Sequence, residues 1–192
     1  KYSVPKIPFV NKMDRIGADL FGVVEGITNQ LGANCVPVVI PIGASDNFKG
    51  VVDLITLKAL IFNEDAKGAE WDEVEIPADL VDTAKEWRNN LVEKCAEMDE
   101  ELLEKYFEEG ELSEDEIWGI LRKATCARQV VPVDCGSAFK NKCVQQVLDG
   151  VIKIGNCDPD MINSGGDGRY SFVHTAIVAD LLSSARVASL LE

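Results

Sequence analysis

Ile7-Pro8-Phe9-Val10-Asn11-Lys12-Met13-Asp14 is the stretch on which the reading of this chain turns. Ile7 to Val10 is a short apolar run, the pattern of a strand buried on both faces. Asn11 to Asp14 is a polar loop. A helix follows, because Leu20, Val23, Ile27 and Leu31 fall on one face, Asp19 can cap its start and Gly32 can end it. Strand, loop and helix in that order make the unit of an open α/β sheet. Such sheets take ligands at the carboxyl ends of their strands, where Asn11–Asp14 lies.

A second unit of the same kind occurs far along the chain. Val130 to Val133 is another short strand, Asp134-Cys135-Gly136-Ser137-Ala138-Phe139-Lys140 is its loop, and Val144, Val147, Leu148 and Val151 mark one face of the next helix. Residues 1–35 and 127–155 therefore read as two pieces of one α/β layer, with residues 36–126 inserted between them as an α+β subdomain. In the insertion, strands are expected at 36–42, 50–55 and 58–62. Asn63 to Glu75 reads as acidic and irregular, anchored by Trp71. A long helical pattern starts after Pro77 with Asp79 as its cap; Leu80, Ala84, Trp87, Leu91, Cys95, Met98, Leu102 and Tyr106 repeat at spacings of four and three, with a break near Met98-Asp99. Ser113 and Glu116 form a capping box ahead of Ile117, Ile120, Leu121 and Ala124. Residues 156–192 form an atypical tail: a Gly, Asp and Asn-rich loop, then an amphipathic helix expected from Val173, Ile177, Leu181, Ala188 and Leu191.

Composition narrows the classes. In 192 residues, 46% are hydrophobic and 27% charged, enough for a real core. No run of 18 apolar residues suggests a membrane span. Six scattered cysteines, no Cys-x-x-Cys pair and a single histidine, His174, argue against structural zinc and are read as reduced thiols. Asp46, Asp53 and Asp65 lack metal-ligand spacing. Of 33 acids and 19 bases, 21 and 5 lie between Glu64 and Glu116, leaving 12 and 14 for the rest. One lobe thus carries −16 and the remainder +2. An acidic lobe repels phosphate backbones, so no sequence-specific nucleic-acid binding is expected; it suits a basic protein surface or merely keeps the protein soluble.

The two loops together specify a chemistry. Guanine presents N1–H and an exocyclic amine side by side, and a fixed carboxylate at Asp14 can accept from both as a charge-assisted pair. Adenine lacks that donor pair and would leave the carboxylate unpaired. Asn11 can brace the loop or touch N7, the stem of Lys12 can lie along the ring, and the backbone N–H of Ala138 can donate to O6. A polar turn explains four such residues taken alone; two loops in matching settings favour a guanine site.

On these residues and on longer stretches the chain resembles the elongation factor G family, the ribosomal translocases. The matching segments are Ile7–Gly17 (IPFVNKMDRIG), Gly50–Leu60 (GVVDLITLKAL), Ile76–Leu91 (IPADLVDTAKEWRNNL), Glu100–Phe107 (EELLEKYF) and Cys135–Lys142 (CGSAFKNK), within a resemblance running from about Lys1 to Ile154. The resemblance implies a partial P-loop GTPase-type G domain of α/β class, with a parallel sheet and flanking helices. Asn11, Lys12 and Asp14 become its fourth G-box and Ser137, Ala138 and Phe139 its fifth, contacting GTP or GDP. It implies a cytoplasmic protein that hydrolyses GTP on the ribosome. It also implies that the acidic face of Glu93, Glu97, Glu100, Glu101, Glu104 and Glu108 meets a stalk protein of the large subunit. The sequence departs from the family in three places. It holds no Gly-x-x-x-x-Gly-Lys-Ser/Thr loop for phosphate and Mg2+, so it reads as a fragment inactive in hydrolysis by itself, with Mg2+ belonging to a full-length protein. Cys143 stands where Gly is expected. From Gly155 onward the family pattern is lost.

Two other functions stay open on the sequence. One is a non-catalytic protein-binding module that uses the acidic lobe and keeps a vestigial nucleotide site. The other is a related ribosome-associated GTPase, such as a release factor or ribosome-protection protein, against which the insert argues.

Overall fold

Lys6–Val10 forms strand β1, buried from Ile7 onward, as a strand covered on both faces must be. In the computed structural model, which describes residues 5–63, 68–97, 99–155 and 174–178, β1 sits inside a four-stranded sheet. The sheet also holds β2 (Cys35–Pro37), β7 (Val131–Cys135) and β8 (His174–Val178), in the order β2-β7-β1-β8 with every pairing parallel. The second sheet is an antiparallel meander of β3 (Val39–Ile42), β4 (Gly50–Asp53), β5 (Lys58–Phe62) and β6 (Trp71–Val74). Five helices accompany them: α1 (Leu20–Leu31), α2 (Val81–Ala96), α3 (Glu100–Glu109), α4 (Glu114–Cys126) and α5 (Val144–Gly155). The parallel sheet with flanking helices is the α/β, GTPase-type fold expected.

Helix ends follow local chemistry. The Asp19 carboxylate accepts from Phe21 N–H at the start of α1, and Gly32, in the left-handed region, donates to Thr28 O at its end. Asp99 caps α3 and Gly110 closes it. Ser113 and Glu116 make the reciprocal capping box of α4. Ser113→Ala should therefore cost about 1 kcal/mol in urea unfolding; an unchanged midpoint would mean that packing alone holds the first turn of α4.

Two cores result. Leu20, Val24 and Ile27 of α1 pack with Phe9, Val133 and Cys135 and extend into the meander through Val39, Ile40, Val51, Val52 and Leu60. Ile7 and Val36 belong to the second core, with Leu91, Cys95, Ile117, Leu121 and Ile154 of α2, α4 and α5. Trp87 of α2 stacks on Phe21 of α1 with ring centroids 5.0 Å apart, and Trp71 and Trp118 pack against the edges of the cores.

Five expectations change. The run at 36–42 divides at Val38, which donates to Val133 O and accepts from Leu54 N–H, each at 3.0 Å, and so bridges the two sheets. The segment expected to be irregular contains β6, an edge strand whose charges face water, with Lys58 and Glu73 paired at 3.1 Å. Asp79 does not cap α2: a turn after Pro77, closed by Leu80 N–H to Pro77 O at 2.8 Å, delays the helix to Val81 with Leu80 at the cap position. Val173–Leu191 is not one helix, since His174–Val178 is β8, paired with β1 so that Ile177 lies beside Phe9. The expected loop at 156–169 and the remainder of that helix lie outside the described residues. Finally, Cys35, Cys95, Cys135 and Cys143 are free and buried, but Cys126 is disulfide-bonded.

Candidate functional site

Val10 and Cys135 are register partners at the carboxyl ends of adjacent parallel strands, so the loops after them leave the sheet side by side. Backbone bonds lace them at once. Gly136 N–H donates to Val10 O and Met13 N–H to Gly136 O, both at 3.0 Å. Gly136 admits no side chain, because a Cβ there would collide with the carbonyl oxygen of Lys142. The loop beyond it closes on itself, with Ser137 N–H donating to Lys142 O at 3.1 Å and Lys142 N–H to Ser137 O at 2.9 Å.

Asn11 is the brace. Its Oδ1 accepts from Lys12 N–H at 2.8 Å and from Ala138 N–H at 2.9 Å, which ties the first loop to the second. Lys12 takes a left-handed φ of 64°, and this turns the chain so that Met13 is buried and Asp14 follows at the rim. Here the expectation for Ala138 is refined. The amide reserved for a purine O6 is already donated to Asn11, so a base must share it or displace that bond.

Asp14 is the best-defined acceptor. Its side chain is 11% exposed. Burial raises its pKa, but the Ser137 hydroxyl, its own backbone N–H and the charges of Lys140 and Arg15 outweigh that and hold the carboxyl below its usual range. The Lys140 Nζ lies 3.6 Å from Asp14 Oδ2; with the lysine well exposed, that pair is weak. The result is a carboxylate, ionised at neutral pH and fixed in direction, which is what a pair of neighbouring N–H donors requires. Ser137 itself is buried, whereas Phe139 is 96% exposed.

The structure therefore brings Asn11, Asp14, Ser137 and Ala138 together around one loop pair and leaves Phe139 at its outer edge. Glu93 and Glu97 stand exposed on and just after α2, and Glu100, Glu101, Glu104 and Glu108 on α3. Three participants escaped sequence reasoning. Lys140 and Lys142 were legible only as part of a matching segment, and Ser45, 30 residues from Arg15, carried no sequence signal. The thiols of Cys135 and Cys143 are pushed well up by burial and by the nearby Asp134 carboxyl, so they are poor nucleophiles. Among the described residues no cluster of His, Cys, Asp and Glu could hold a metal ion, and no helix is long and apolar enough to cross a membrane.

Comparison with known proteins bears on the fold and the family. A crystal structure of a protein from Thermus thermophilus superposes with a TM-score of 0.68 over 80% of this chain, at 24% identity, a likeness of fold. The chain spans only 22% of the length of that protein. The model of the elongation factor Tu GTP binding domain matches residues 1–156. With a match over most of its 192 residues, the chain belongs to that family of translational GTPase domains.

Proposed function

We propose that this chain is the base-reading part of an elongation factor G type GTPase, a cytoplasmic protein that drives translocation on the ribosome. Asp14 accepts from N1–H and the exocyclic amine of guanine. Asn11 braces the two loops, the stem of Lys12 and the exposed ring of Phe139 flank the base, and Ser137 orients Asp14. Ala138 N–H turns toward O6 when GTP or GDP is bound. The observation that carries this reading is the fixed, ionised Asp14 carboxylate beside a second loop joined to it through Asn11 and Ser137. Titration of the chain with GDP and with ADP tests it. Binding of GDP in preference to ADP supports the reading, and equal or absent binding of both defeats it.

The segment between β2 and β7 serves, in this proposal, as an acidic insert that approaches the basic surface of a large-subunit stalk protein. The exposed glutamates of α2 and α3, with Phe107 standing 71% exposed among them, support it. Charge complementarity of this kind speeds encounter more than it tightens the complex. Reversing Glu97, Glu101 and Glu104 to Lys should slow association with the stalk protein at low salt by about tenfold or more. Association rates that do not respond to the reversal would remove the acidic face from the interface. The same feature supports a second reading, a non-catalytic binding module; a chain that binds the stalk protein but no guanine nucleotide would favour it.

A further inference from the structure

The loop joining β3 to β4 reaches out of the meander and touches both halves of the candidate base site. Its course is set by a single 3-10 turn, Ser45–Asn47, entered through Gly43 at φ 77° and Ser45 at φ 56°. A Cβ on Gly43 would collide with the carbonyl oxygen of Asn47, so the turn cannot be built with another residue there. From it Ser45 N–H donates to Met13 O and Ser45 Oγ to Arg15 O, both at 3.1 Å. These are the residues on either side of Asp14. Three residues on, Phe48 O accepts from the Nζ of Lys142 at 3.0 Å, and the same ammonium lies 5.8 Å from the centre of the Phe48 ring. Lys142 is 2% exposed and closes the loop that carries Ser137 and Ala138.

Met13 is thus held from two sides. Its N–H goes to Gly136 of the second loop and its carbonyl is held by Ser45 of the meander. Without the turn, the Met13 carbonyl would lose its bond to Ser45 and the second loop its buried tie to Phe48. We infer that the Gly43–Lys49 turn is a positioning element for base recognition, with Ser45 and Lys142 as positioning residues that set the separation and direction of the two base-reading loops. It rests on the proposed guanine reading and adds to it that the selectivity of the site depends on the meander, whose bonds reach the peptides around Asp14 although no side chain of the turn is called on to touch the base.

Ser45→Ala and Lys142→Met test this in the full chain. Each removes one tie and leaves Asp14, Asn11 and Ala138 in place. GDP and IDP are the probes, because hypoxanthine lacks the exocyclic amine and asks less of the Asp14 direction. Each variant should weaken GDP about fivefold, the size of one lost hydrogen bond, and lower the GDP-to-IDP affinity ratio at least about threefold. A role in stability alone would lower the melting temperature without moving that ratio. Amide hydrogen exchange over residues 12–16 and 136–140 gives a readout that needs no nucleotide, and both variants should speed it. If the parent chain binds neither GDP nor IDP, the guanine reading fails and exchange alone decides: faster exchange upholds the turn as the support of the two loops. Unchanged exchange together with an unchanged affinity ratio in both variants overturns the inference.

Discussion

Asp14→Asn should weaken GDP binding by a hundredfold or more and raise the affinity for XDP. The argument is donor counting. Guanine turns two adjacent donors toward the site, and a carboxylate accepts both; each bond to a charged acceptor contributes about 1.5–3 kcal/mol, so losing the pair costs on the order of 3 kcal/mol or more. Asparagine offers one acceptor and one donor, and its NH2 would face the guanine amine. Xanthine carries a carbonyl where guanine carries that amine, so one acceptor and one donor match it. Asp14 also accepts from Ser137 and pairs with Lys140, and their loss could loosen the loop by itself. Lys140→Ala separates the effects: a weak exposed pair contributes at most about 1 kcal/mol, and its removal cannot create a preference for xanthine. GDP affinity that survives Asp14→Asn would remove the carboxylate from base recognition.

How much of this was legible in the sequence depends on the range over which each signal acts. Local signals suffice where the structure is local: the Asp19 cap, the Gly32 stop, the Ser113–Glu116 box and strand β5 are set by residues within a few positions of one another. The failures share a longer range. Trp71–Val74 carries two acids in four residues and pairs only because β5 offers it an edge. His174–Val178 is a five-residue segment with only three apolar residues, which fits a helix or a strand, and β1 decides between them. Val38 marks where one extended run leaves a parallel sheet for an antiparallel one, a choice made by its bonds to Val133 and Leu54. The base-reading residues were legible because their chemistry is written in two short segments. Their support was not: the bond from Ala138 to Asn11 spans 127 positions, and the tie from Lys142 to Phe48 spans 94.

Asp134→Asn should make the protein more stable at neutral and alkaline pH. Asp134 lies on β7, 3% exposed, and burial followed by repulsion from Asp53 pushes its carboxyl up to about 7. Asp53 is itself raised by burial, though it accepts from the N–H groups of Ile55 and Thr56 and so keeps some support for its charge. The two carboxyls stand beside the Val38 crossing, one next to Leu54 and the other next to Val133. The sign follows from which state holds the proton. An unfolded chain releases it near the ordinary carboxylate value, while the folded chain keeps it to about pH 7. The stability owed to the neutral form is therefore complete below about pH 4 and is lost as pH rises through about 7. Asparagine has nothing to ionise, so the variant should gain on the order of 2–4 kcal/mol over the parent at pH 8 and differ by less than about 1 kcal/mol at pH 4. Urea unfolding of both proteins across that range measures it. A parent whose stability is flat from pH 4 to 8, or a variant weaker at pH 8 than at pH 4 by as much as the parent, would show that the buried carboxyl of Asp134 finds compensation for its charge that neither Asp53 nor the surrounding thiols supply.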